Sequence, residues 1–332
     1  MEFISLGGIK EHGRNCFLVK GDRISFMLDC GKGEKGETPD FFKTRVDKID
    51  YLFLSHSHLD HTGCVENLYQ SGFSGKLLCS PETYHLLPTR PKDIIYLNPN
   101  HPIEVDGRIK VLPRRSGHCF GALSFEIRME GKTILYTGDY LEDTVFEVDP
   151  IRNRRADLAI VDACYSQEKS YEENKEAFLS LLEKQKGKTI LPLPKNGRSM
   201  DVIDMLNENG IPYSVKDNPF FQEETEIYLK KKIPVMETEN ADVLLIQDPQ
   251  LSTKRSREFV DRQKKSNLIF TGTIDEGSYS DYLMKQREHT YFSRINVHQS
   301  VDEAKKLVLK NEFKKTVFFH NKELSQETHL LF

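Results

Sequence analysis

Nothing in this chain restricts its fold more than SHSHLDHTG, residues 55–63, which follows directly on the apolar run Tyr51–Leu54. A short apolar run bounded by polar residues is the pattern of a buried strand. The loop beyond a strand end is where α/β folds gather their chemistry. Here that loop holds His56, His58, Asp60 and His61, which include three of only 11 histidines in 332 residues. An ordinary polar surface loop does not concentrate imidazoles in this way. Imidazole nitrogens beside a carboxylate are the donors that a divalent ion of borderline softness prefers. The stretch predicts a strand that delivers metal ligands at its end.

The surroundings supply more of both. Short β-branched or aromatic runs fill the first half: Phe3–Leu6, Phe17–Val19, Ile24–Leu28, Lys76–Leu78, Ile109–Leu112, Leu123–Ile127 and Thr133–Tyr136. Turn signals such as KGDR, VDGR and MEGK separate them. CFLVKGDRISFMLDCG and LSFEIRMEGKTILYTGD have the form of hairpins, each ending in an aspartate, Asp29 and Asp139. Between residues 162 and 290 the texture changes to alternating strands and amphipathic helices, which predicts a parallel sheet. Strand, helix (Val301–Leu309) and strand (Thr316–Phe319) then close the chain. Further candidate ligands fall at strand ends: His118, Asp162, His298 and His320.

A chain of 332 residues can hold one large domain or two modest ones, each with its own core. No apolar stretch approaches the length of a membrane span, and MEFISLGGIKEHG lacks the basic start and apolar core of a signal peptide. Six cysteines, all in the first half, lack the paired spacing of a zinc ribbon. They read as reduced thiols of a cytoplasmic protein without membrane attachment. A net charge of −4 advertises no polyanion partner across the whole chain, although bound metal would add positive charge where it sits.

At these residues a resemblance becomes plain. HSHLDHTG is similar to the signature loop of the metallo-β-lactamase fold, and LDCG, SGHCFGALSFEI and ILYTGDY resemble its other first-domain motifs, in order. The second half resembles the β-CASP branch, nucleases that include RNase J, the pre-mRNA cleavage and polyadenylation endonuclease and archaeal relatives. VDACYS stands where that branch has an acidic residue before a Thr-Tyr pair. LPLPKNGRSMDVIDML and LIFTGTIDEGSYSDYL resemble its strand–loop–helix elements, and INVHQS and VFFHNKE fall at its two late histidines. The chain departs from the pattern at Val297, where a small residue is usual, and at His320-Asn321-Lys322, where His-Gly-Glu is usual.

The resemblance implies an α/β fold: a metallo-β-lactamase αββα sandwich with a small inserted β-CASP α/β domain. Residues 1–170 and 289–332 would form the sandwich and 171–288 the insert. One ion would take His56, His58 and His118, the second Asp60, His61 and His320, with Asp139 between them. Two Zn²⁺ are implied, with Mn²⁺ possible, activating a hydroxide for hydrolysis of RNA phosphodiester bonds. Asp29 would orient the histidine loop, unless it is only a turn residue. His298, positioned by Asp162, would be the general acid or a phosphate contact. Lys195 and Arg198 would bind a phosphate, or merely belong to a helix-capping turn. Phe120 and Tyr165 would stack on a base or pack in the core, and the basic runs Lys230–Lys232, Lys254–Arg257 and Lys264–Lys265 would be solvated faces or backbone contacts. Single-stranded RNA is the expected partner, with DNA less favoured, because DNA-processing members have an apolar residue where this chain has His320. An oligomer would not form through a C-terminal dimerisation domain, since only ELSQETHLLF follows the last motif. Two alternatives stay open: hydrolysis of a small ester or cyclic phosphodiester, and a catalytically silent RNA-binding subunit. The chain beyond residue 162 argues against the first and the full ligand set against the second.

Overall fold

The computed structural model describes residues 1–166, 169–216, 228–233, 238–324 and 326–332. The described residues form three sheets. The first has the spatial order His329–Leu331, Glu2–Gly7, Cys16–Lys20, Ser25–Leu28, Tyr51–Phe53, Lys76–Cys79, Ile94–Tyr96. The second runs Glu312–Phe319, Arg155–Asp162, Lys132–Tyr136, Leu123–Met129, Ile109–Arg115, Ile103–Val105. Both proposed hairpins form as antiparallel pairs.

Strand alternation explains why these two sheets stack. Phe17, Val19, Phe26, Leu28, Tyr51 and Phe53 meet Phe125, Ile127, Ile134, Tyr136, Leu158, Ile160 and Phe319 in one core. Their neighbours along each strand point the other way. Leu18, Met27 and Leu52 pack with Val65 and Leu68 of the helix Val65–Gln70. Leu135, Ala159 and Val161 pack with Val301, Ala304 and Leu307 of the helix Val301–Leu309. Strands buried on both faces need continuous apolar runs, as these have. The expected helix–sheet–sheet–helix layering is present.

Two compact units result, one of Met1–Glu142, Glu147–Glu168 and His298–Phe332, the other of Asp143–Phe146 and Lys169–Val297. The second unit contains the third sheet, Tyr213–Val215, Val243–Ile246, Thr189–Pro192, Asn267–Phe270, Thr290–Phe292, parallel throughout. Its boundaries correct the expected 171–288. Thr290–Phe292 pairs with Asn267–Phe270, which carries the unit on to Val297. Asp143–Phe146 joins it through bonds such as Lys230 N–H to the Val145 carbonyl. No helix among the described residues is long and apolar enough to cross a membrane. All six cysteines are buried and free of disulfides.

Candidate metal centre

Parallel pairing aligns the site. Tyr51–Phe53 lies between Ser25–Leu28 and Lys76–Cys79 in parallel register, so Asp29 emerges beside the histidine loop. In the facing sheet Arg155–Asp162 runs parallel to both Lys132–Tyr136 and Glu312–Phe319. Asp139, Asp162 and His320 therefore leave neighbouring strands at the same end. The ligand loop is fastened by backbone bonds: Asn15 N–H to the Asp60 carbonyl, Cys30 N–H to His61, Lys32 N–H to Leu59 and Cys64 N–H to Cys30. Gly31 is required at this contact, since a Cβ there would lie 1.6 Å from the Asp60 carbonyl oxygen. Asp29 and His320 both have left-handed backbone, with φ of 59° and 70°, a conformation that costs a non-glycine residue about 1–3 kcal/mol.

The donors divide into two groups about one carboxylate. His58 Nδ1 lies 3.1 Å from both His56 Nε2 and His118 Nε2. Asp139 Oδ2 is 3.4 Å from each of those two nitrogens. On its other side, Asp139 Oδ1 is 3.1 Å from His61 Nε2 and 3.5 Å from His320 Nδ1. Asp60 Oδ2 completes that group, 3.5 Å from His61 Nε2 and 3.2 Å from His320 Nε2. Cys119 also falls within reach of the first group.

Two observations fit these groups to cations. Asp139 Oδ1 and His320 Nδ1 are buried with no hydrogen-bond partner, a costly state for polar atoms unless something else satisfies them. The tautomers also fit. Asp29 Oδ2 accepts from His61 Nδ1 at 2.6 Å, and Ser55 Oγ lies 3.0 Å from His56 Nδ1. These bonds assign protons to the outer nitrogens and leave Nε2 as the nitrogen of each ring that faces Asp139, with His61 Nε2 also 2.9 Å from Asn15 Nδ2. Asp29 is itself held by Ser55 N–H, Ser55 Oγ–H and Tyr136 O–H at 2.7, 2.7 and 2.5 Å.

The electrostatics agree. Burial pushes His56 well below the usual imidazole range, and burial also lowers His58. For His61, burial pulls downward but Asp139, Asp60 and Asp29 overcome it and hold the imidazole well above its ordinary value. His320 is raised against burial chiefly by Asp139. Burial opposes ionisation of Asp60 and Asp139, yet His61 and its neighbours hold both well below the carboxylate range. Without a bound cation, imidazolium neutralises these carboxylates, of which Asp139 is buried and Asp60 half-buried. An ion would take over that role and release protons.

His298 stands at the rim, with Nδ1 3.1 Å from Asp162 Oδ2 and 3.7 Å from Asp139 Oδ2. Its ring centroid is 4.8 Å from those of both His118 and His320. Asp162 is fixed by the Tyr140 N–H, and Gln299 Nε2 donates to its carbonyl. Burial opposes ionisation of Asp162, but His298 and its other neighbours hold its pKa below the ordinary value. Tyr165 is 7% exposed and meets His298 edge-on, and Phe120 is 8% exposed. This burial favours packing over base stacking for both rings.

Lys195 and Arg198 belong to the second unit, beside the N-terminus of the helix Arg198–Glu208. Lys195 is exposed. The Arg198 guanidinium lies flat enough on Gly272 that a Cβ there would be 2.0 Å from it, so the two glycine-containing loops interlock. Of the basic runs, Lys231 pairs with Asp204 and Glu208, and Arg257 donates to the Leu251 and Ser252 carbonyls. Lys254 remains largely exposed. Sequence reasoning passed over Ser55, Tyr136, Asn15, Cys164 and His12. Tyr136 had a signal, being a polar-tipped ring at an inward-facing strand position. The others have none, since each is an ordinary residue that only the fold brings to the site.

A model of the metallo-beta-lactamase superfamily matches residues 9–192. Among curated proteins, the chain is 28% identical over 247 residues to the transcription termination factor FttA of Methanosarcina mazei, covering 62% of this chain and 39% of that protein. It is 25% identical over 245 residues to the endoribonuclease ysh1 of Schizosaccharomyces pombe, covering 63% and 32%. Over 330 residues it is 24% identical to the probable RNase MJ4 of Methanocaldococcus jannaschii, covering 85% and 75%. The chain thus spans less than two fifths of the first two relatives.

Proposed function

The chain belongs to the metallo-β-lactamase superfamily, in its β-CASP branch, and from that premise we propose that it is a metal-dependent ribonuclease acting on single-stranded RNA. The observation that carries this reading is the double set of donors about Asp139, whose two oxygens each approach one set in the chemistry that divalent ions need. His56, His58, His118 and Asp139 would hold one ion, and Asp60, His61, His320 and Asp139 the other. Nitrogen-rich sets favour zinc, and the carboxylates leave room for manganese. Two such ions would supply an acidified water and stabilise charge on phosphoryl oxygens.

The chain's own residues do the rest. Asp29 fixes His61 and, through Ser55, His56. His298 commits Nδ1 to Asp162 and so holds its transferable proton at Nε2, as a general acid for the leaving 3′ oxygen requires. RNA as substrate is supported by two relatives whose names describe them as an endoribonuclease and an RNase. A cytoplasmic location accords with six free thiols.

The test is digestion of single-stranded RNA labelled at either end, beside DNA of the same sequence, by zinc- or manganese-loaded protein. Cleavage of RNA alone, abolished by Asp60→Ala with the circular dichroism spectrum retained, is the expected result. Equal cleavage of DNA would remove the RNA assignment, and no cleavage of either by metal-loaded protein would overturn the enzyme.

A further inference from the structure

Cys164 and His12 have no part in the mechanism above, yet both lie beside its histidines. Cys164, in VDACYS, is 8% exposed and follows Asp162 by two residues. One donor atom from each of Cys164, His298 and His320 can be chosen so that all three lie within 4.8 Å of one another. A zinc ion with its usual bond lengths separates sulfur and nitrogen donors by about 3.6 Å, and two nitrogens by about 3.3 Å, so small side-chain rotations bring the set to bonding distance. His12 Nδ1 is 4.0 Å from Cys164 Sγ and provides a fourth donor. His320 Nδ1 is the unpartnered buried nitrogen noted above, in a residue 5% exposed, while Nε2 faces Asp60.

We propose that Cys164, His298 and His320, with His12, form an overlapping inhibitory site for soft divalent ions such as cadmium or excess zinc, which shares His320 with the Asp60 group. Thiolate shifts the preference of this set toward soft metals; the His56–His58–His118 group also has a thiol within reach, Cys119, so loss of the band on substitution of Cys164 is what distinguishes the two. Binding breaks the Cys164 S–H bond and the His298 Nε2–H bond, forms S–metal and N–metal bonds and releases two protons to solvent, with no change of oxidation state. The ion would draw His320 from the Asp60 group and occupy the imidazole that otherwise carries the acid's proton. Ion binding stands independently of the ribonuclease reading, whereas the inhibition rests on it.

The experiment adds Co²⁺, then Cd²⁺, to the full chain already holding two equivalents of zinc. Wild type should develop a thiolate-to-cobalt charge-transfer band that both Cys164→Ser and Cys164→Thr lack. With two variants, a failure of one to fold leaves the comparison intact. In the second arm, the cadmium concentration that halves RNA cleavage is measured relative to each protein's own rate. It should rise at least as much as the roughly 10–100-fold that loss of even an outer ligand partner costs. No charge-transfer band, or one that persists in both folded variants, would overturn the site. A normal band with unchanged cadmium sensitivity would overturn the inhibition. Absence of RNA cleavage altogether would count against the ribonuclease alone.

Discussion

Asp201 offers a test of the inserted unit that is independent of metal. It sits on the helix Arg198–Glu208, fully buried, where Oδ1 accepts from the Val145 N–H at 3.1 Å, Tyr171 O–H at 3.0 Å and Thr144 O–H at 3.2 Å. Oδ2 has no partner. Burial, with a smaller push from Asp204, raises the carboxyl pKa from 3.8 to about 6 against the pull of those three bonds. A raised acid pKa means that the folded state binds the proton more tightly than the unfolded state. Stability is therefore lost as pH climbs from the unfolded value to the folded one, and the loss is complete above about 6. The gap of about 2 pH units corresponds to about 3 kcal/mol in all, of which about 1.4 kcal/mol falls between pH 5 and pH 8. Asp201→Asn keeps the Oδ1 acceptor and removes the ionisation. Any fixed cost of its amide is the same at both pH values and cancels. Urea unfolding followed by far-ultraviolet circular dichroism at pH 5 and pH 8 gives the comparison. The variant should gain about 1.4 kcal/mol on wild type over that interval. A stability difference that does not change with pH would show that Asp201 is ionised at little cost, and the argument from burial would fail.

His298→Ala should slow RNA cleavage by about 10²–10⁴-fold with metal content unchanged, read by elemental analysis of the purified variant; loss of an ion would make His298 a ligand instead. Asp29→Ala should weaken metal binding about 10–100-fold in a chelator competition, because His61 and His56 lose the partner that orients them. Reversing charge at Lys254 and Arg255 should raise KM and reduce the salt dependence of cleavage, whereas Arg257 is unsuitable for this test because its guanidinium holds the loop carbonyls of Leu251 and Ser252. An unaltered salt slope would assign that run to a solvated face.

The metal loop was legible because its signal is local: three imidazoles and a carboxylate directly after an apolar strand. The apolar runs Phe17–Val19 and Ile24–Leu28, split by a turn signal, likewise foretold a hairpin, which forms. The return boundary was not legible. TYF, residues 290–292, has the composition of a strand, but composition does not say which sheet an edge strand joins, and it pairs with Asn267–Phe270. The roles of Lys195 and Arg198 were ambiguous for a related reason. A glycine–arginine pair before a helix suits an anion, but the space taken by the guanidinium depends on Gly272, more than 70 residues later. Contacts between distant segments, such as Tyr136 with Asp29 or Cys164 with His12, leave no periodicity to detect.

Two strained residues show how the site's cost is distributed. Asp29 and His320 hold left-handed backbone on opposite sheets of the sandwich, a cost of about 1–3 kcal/mol each. Each has compensation nearby. Asp29 accepts four hydrogen bonds to its carboxylate, and its own N–H donates to the Phe53 carbonyl. Hydrogen bonds contribute about 0.5–1.5 kcal/mol apiece, so four of them are enough to offset the strain at Asp29 without any ion. His320 has less. Its N–H donates to the Gly8 carbonyl, but Nδ1 has no hydrogen-bond partner. The ligand loop is therefore held in place by a dense set of short bonds, whereas His320 is held by the Gly8 carbonyl and by its ion-pair approach to Asp60 and Asp139. The two groups should differ through His320 alone: unlike His61 and His56, it has no neighbour that fixes its tautomer, so the Asp60–His61–His320 set should lose its ion first as a chelator is raised.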